Sequence, residues 1–164
     1  MAEVAWIIVA VHALAGVWFL AGLIGRWITL GAASRAGDLH DMRTLLGLSS
    51  RFERIVIVGS AAVLVLGIAA AIAVGRPFLG PLQGAPIDWL FVALIVYLSV
   101  VPLVPLVFLP RGRVVDAALE RAGPDGPIPD EVRAAFRDPV VFAAHVYELG
   151  AMTVVLLLML SKPF

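Results

Sequence analysis

Four long stretches of this chain are almost free of charge. Residues 4–25, 55–75 and 89–110 hold no Asp, Glu, Lys or Arg, and residues 140–161 hold only Glu148 of these types, with His145 beside it. A hydrocarbon core about 30 Å thick takes about 20 residues of helix at 1.5 Å per residue. Each stretch is long enough to cross it. The apolar residues run on without the alternation of a barrel strand, and in lipid a backbone must satisfy its own hydrogen bonds, so helices are expected throughout. The pattern predicts an all-α polytopic membrane protein, a four-transmembrane-helix bundle forming one domain over residues 1–164.

The connections carry pattern of their own. In the first, residues 26–54, Leu39, Met42, Leu45 and Leu46 recur at helical spacing after Asp38, a good capping residue, and predict a helix lying on the inner membrane surface. The second, residues 76–88, has three Pro and two Gly and reads as a tight irregular turn. The third, residues 111–138, predicts two small helices, around 114–122 and at DEVRAAFR before Pro139, joined by a hinge at GPDGPIP. The leader MAEV contains Glu3 and no basic residue, so the first stretch is expected to be retained rather than cleaved as a signal peptide.

Composition agrees with the pattern: of 164 residues, 62% are hydrophobic and 15% charged, and the mean hydropathy is +1.02. Twelve basic residues balance twelve acidic ones, which argues against a nucleic-acid surface. The partners expected are the lipid bilayer and either a homo-oligomer or another membrane protein. Ten of the twelve basic residues fall in the first and third connections, leaving Arg76 and Lys162 outside them. Cytoplasmic enrichment of Lys and Arg then predicts both termini outside, with Trp6 and Trp89 at the outer interface and Trp27 at the inner one. Eleven of the twelve are Arg, a bias of GC-rich genomes that suggests a bacterial inner membrane. With no Cys at all, disulfides, thiolate metal sites and Cys nucleophiles are excluded.

Ionisable residues at depth are the informative ones, because burying them is costly and they normally face a partner. His12, His145 and Glu148 qualify. His145 and Glu148 share a helical face, being three residues apart. Their alternatives are a structural polar knot, in which Glu148 pairs with Arg54 or Arg26, and a proton-handling site beside a kink at Pro102 and Pro105. His12 can bond across helices or ligate a haem iron. A shared haem b between His12 and His145 is disfavoured, since their depths, about 12 Å from the outer end and about 8 Å from the inner one, leave an axial gap of about 10 Å. His40 lies in a connection. No cofactor and no metal are expected, and no hydrolase, P-loop or dinucleotide motif appears. Gly67, Ala71 and Gly75, with Ala21 and Gly25, recur every fourth residue and suggest close helix packing.

The segments VHALAGVWFLAGLIGRW, RFERIVIVGSAAVLVLGI and LLLMLSKPF, through His12, Gly22, Arg54, Gly67, Lys162 and Pro163, resemble the predicted integral membrane proteins of domain of unknown function 2269. The resemblance covers nearly the whole chain and implies a membrane fold without an assigned activity. His12 with Trp18, Gly22 and Arg26 also looks like the first helix of HemJ-type protoporphyrinogen oxidases and copper-resistance D-like proteins. The spacing of Trp18 and Arg26 departs from that helix, and no second motif matches. The function expected is a non-catalytic helix-packing or companion subunit, the alternatives being a haem-binding redox protein and a small proton-coupled transporter.

Overall fold

The computed structural model describes residues 2–123 and 126–163, and every regular element among them is helical. Four helical stretches are long and apolar enough to cross a membrane: Glu3–Ala33, Leu39–Ala73, Trp89–Arg121 and Pro139–Ser161. Helix α1 (Ala2–Ala33) runs on past the first apolar stretch and takes Arg26 and Trp27 into the helix.

Helix α2 (Leu39–Ala73) begins where Asp38, in an extended conformation, accepts the backbone N–H of Asp41 at 2.8 Å. The reading of residues 39–46 as a separate surface helix needs correction. No Pro or left-handed Gly interrupts the chain before the apolar stretch at Ile55, so the segment is the first third of one 35-residue helix. Its apolar face packs against protein instead of lipid. Helix α2 stops at Val74, followed by Gly75 at φ 71°, a conformation that favours glycine. Gly75 therefore ends a helix, and nothing stands within 4 Å of where its Cβ would be.

Helix α3 (Trp89–Val100) is capped by Asp88, whose carboxylate accepts the Phe91 N–H at 3.0 Å. Pro102 and Pro105 have no N–H to give, and the ladder is re-paired around them. The Leu98 carbonyl accepts from Val101 at 3.3 Å, and a π turn over Val104–Phe108 lets Leu109 donate five residues back to Val104. The chain resumes as α4 (Leu109–Arg121). Helix α5 (Asp130–Ala135) follows, then α6 (Pro139–Ser161), with Asp138 accepting the Val140 N–H at 2.8 Å and Pro139 in the first turn. Of the two small helices expected in the third connection, only α5 stands alone; the one around 114–122 needs correction, being the end of the continuous stretch Trp89–Arg121 that the π turn carries past the prolines. Pro124 and Asp125 of the hinge segment GPDGPIP lie outside the described residues, as do Met1 and Phe164.

Helices α1 and α2 form an antiparallel pair in close contact. His12 faces Gly67, Phe19 faces Gly59, Gly22 faces Ile55 and Val56, and Gly25 faces the ring of Phe52. One number falls as the other rises, the register of two straight antiparallel helices. Helices α3 and α6 form the second pair. The two pairs meet through Phe19, Leu23, Val56, Tyr97, Val100, Ala151 and Met152, and the Tyr97 hydroxyl donates to the Ser60 carbonyl at 2.7 Å.

A second, smaller core sits at the end of the bundle where α1 turns into α2. There Leu39 and Met42 pack with Ala118, Ile128 and Val132, all fully or nearly fully buried. Arg43 closes this headpiece by donating to the Leu119 and Gly123 carbonyls, at 2.5 and 2.6 Å, which end α4. At the opposite end, Trp89 is buried beneath Arg76 and Lys162, at 5.4 and 6.0 Å from its ring, whereas Trp6 is exposed.

Candidate functional site

Where the two helix pairs meet, α1 presents Arg26 and α6 presents Glu148, and their side chains form a buried ion pair. Side chains on a helix lean toward its N-terminus. Because α1 and α6 enter the bundle from opposite ends along the chain, Arg26 leans into the apolar slab and Glu148 leans toward the headpiece. They reach for each other. Arg54 points elsewhere: it lies two residues from both Phe52 and Val56, about 200° around α2 from the packing face, and its side chain is exposed. Of the two arginines expected to meet Glu148, the structure brings in Arg26 and leaves Arg54 on the outer surface.

Two aromatic groups complete the site. Phe108, the last residue of the π turn, lies 5.3 Å under the Arg26 guanidinium and 4.5 Å from the His145 ring. His145 Nδ1 donates to the Val141 carbonyl at 2.9 Å. The Arg26 Nε is buried without a hydrogen-bond partner, and Thr29 one turn on donates to the Gly25 and Arg26 carbonyls. Beyond the slab, Arg111 donates from Nε to Asp138 at 2.7 Å; this bond and the Val140 N–H hold the Asp138 carboxyl below its ordinary range.

His12 stands apart from this cluster. It lies fourteen residues before Arg26 on the same helix, about 21 Å away along the axis, while His145 sits beside Arg26. The two intramembrane histidines are at different levels of the bundle. His12 packs against Gly67, its Cε1 at 3.0 Å from where a Cβ would stand, and its Nδ1 is buried with no hydrogen-bond partner. Among the described residues no group of three His, Cys, Asp or Glu side chains is placed to hold a metal ion.

A family model described as predicted integral membrane protein (DUF2269) matches residues 6–163. The chain belongs to this family. No curated protein and no solved structure matches it. Membership makes the chain an integral membrane protein with several spans, and its helices accordingly contact lipid.

In this family member, the small residues divide by what they face. Gly25 and Gly67 are in the close α1–α2 contact and Ala71 is buried, but Ala21 is exposed and Gly75 lies past the helix end. Sequence spacing missed Gly22 and Gly59 as contact points, although Gly59 and Gly67, eight apart, already marked one face of α2. It also missed Phe108, for which an aromatic residue inside an apolar run gives no distinguishing signal.

Proposed function

We propose that the protein is a non-catalytic helix-packing subunit, working as a homo-oligomer or as companion to another membrane component. The Arg26–Glu148 pair carries this reading. A carboxylate engaged by a guanidinium, under an aromatic cover, serves as a bond between helices α1 and α6. Other polar groups in the spans are used the same way, as in Tyr97 with Ser60 and Ser99 with Tyr147.

The subunit sits in the inner membrane of a bacterium with both termini outside, as the ten basic residues at the headpiece end indicate. The absence of cysteine makes that orientation simple to measure. In intact cells, single cysteines at Ala36 and Gly126 are expected to resist a membrane-impermeant thiol reagent, and one at Gly84 to react. The opposite labelling overturns the orientation.

One observation favours a second reading. It is a haem-binding redox protein with His12 as a single axial ligand, resting on an Nδ1 without a hydrogen-bond partner, and the burial of that atom in the α1–α2 contact beside Gly67 weighs against it. The separation of His12 from His145 weighs against a shared iron. Expression with a haem precursor, followed by purification and a reduced-minus-oxidised spectrum, is expected to show no stoichiometric Soret band. A strong band lost in His12→Ala and kept in His145→Ala establishes the haem reading and ends the scaffold reading.

A further inference from the structure

The register of α1 against α2 locates the edge of the apolar slab twice over. On α2 the uncharged stretch begins at Ile55, directly after Arg54. On α1 it ends at Gly25, which faces Phe52, one turn from Ile55, so the two helices place the boundary within about 5 Å of each other, in a band from Arg54 to Arg51. Arg54 stands at the slab side of that band and Arg51 one turn beyond, about 5 Å farther from the slab. That interval is the headgroup layer of a bilayer, which adds roughly 5–7 Å to each side of the hydrocarbon.

Arg51 and Arg54 are three residues apart, on one outward face of α2, and both are exposed. Among the described residues neither has a carboxylate partner, whereas Arg26, Arg76, Arg111 and Arg121 each have one. Exposed Ile57 and Val58 continue from the two arginines into the slab. In the other direction lies an open cleft of about 420 Å³ lined by Arg43, Thr44, Gly47, Leu48 and Arg51. Gly47 leaves its floor clear, since nothing stands within 4 Å of where a Cβ would be.

We propose that this face of α2 binds one anionic glycerophospholipid. Its phosphodiester lies between the Arg51 and Arg54 guanidiniums, which match phosphate oxygens with paired N–H donors. Its acyl chains run along Ile57 and Val58, and its headgroup occupies the cleft toward Thr44. A cationic headgroup is disfavoured there because Arg43 and Arg51 bound the same cleft. The site is independent of the scaffold reading and needs only the membrane level already derived.

Native mass spectrometry of the purified protein, with phosphatidylglycerol or phosphatidylcholine titrated into detergent, tests it. One phosphatidylglycerol is expected to bind in preference to phosphatidylcholine, weakened by raised salt and undisturbed by millimolar inorganic phosphate. Arg51→Gln with Arg54→Gln is expected to weaken binding about 25-fold, the product of about 5-fold per interfacial arginine. Arg35→Gln with Arg133→Gln, removing two exposed charges of the headpiece end, is expected to leave it within 2-fold, about the scatter of such surface terms. Equal binding of the two lipids, equal loss in both double variants, or displacement by inorganic phosphate overturns the proposal. Salt dependence and lipid preference are read on the wild-type chain, so the test stands even if a variant folds poorly.

Discussion

Glu148→Leu and Arg26→Leu are each expected to destabilise the bundle by about 3–5 kcal/mol, and the two together by far less. The reason is asymmetric. Either single change leaves one charge, at 6% or 4% exposure, without its counter-ion in a low-dielectric interior. Removing both charges abolishes the desolvation cost along with the attraction, and a well-packed apolar pair is often neutral or up to about 4 kcal/mol more stable. Arg26→Leu carries an added loss of the contact with Phe108, so it is expected to sit at the upper end of the range. A double-mutant cycle by unfolding in mixed micelles gives the coupling directly. The same cycle with Arg54→Leu is expected to show coupling near zero, since that side chain is exposed on the far face of α2. Strong coupling to Arg54, or none to Arg26, overturns the site.

The outline of this bundle was legible in the chain because lipid imposes a simple requirement, an uncharged helix of sufficient length, and four stretches meet it. The cap at Asp38 was legible too, beginning a helix as its residue type suggests. What could not be read was the angular position of side chains between helices. Arg26 and Arg54 look alike as sequence, each a basic residue at the inner end of an apolar stretch. They differ in the direction each helix runs and in the face that glycine contacts turn inward. Likewise Leu39 and Met42 have the spacing of a surface helix, and only the packing of α4 and α5 on them shows that protein covers that face. Phe108 owes its place to the π turn, which shifts the register of everything after Pro105 by a fraction of a turn.

Gly59→Leu is expected to destabilise by about 3 kcal/mol and Gly59→Ala by about 1 kcal/mol, while Gly16→Leu and Gly16→Ala are expected to be neutral or mildly stabilising. The two glycines differ in what a side chain meets. A Cβ at Gly59 stands 3.1 Å from both the Cα and the Cβ of Phe19, so it presses on the backbone of α1, which cannot rotate away as a side-chain tip does. At Gly16 nothing lies within 4 Å. Alanine at Gly59 gains up to about 1 kcal/mol of helix propensity that partly offsets the clash, and leucine adds three more heavy atoms to it. Moving α1 outward also disturbs Phe19 and Val56 in the main core and the neighbouring Ser60 carbonyl that holds Tyr97. By contrast Gly67 faces the edge of the His12 ring, which can turn, so Gly67→Ala is expected to fall between the two sites. Unfolding curves in mixed micelles, followed by Trp fluorescence, rank the variants. A Gly59→Leu protein as stable as Gly16→Leu means that α1 and α2 do not meet in this register, and with the register falls the reason for Arg26, rather than Arg54, to find Glu148.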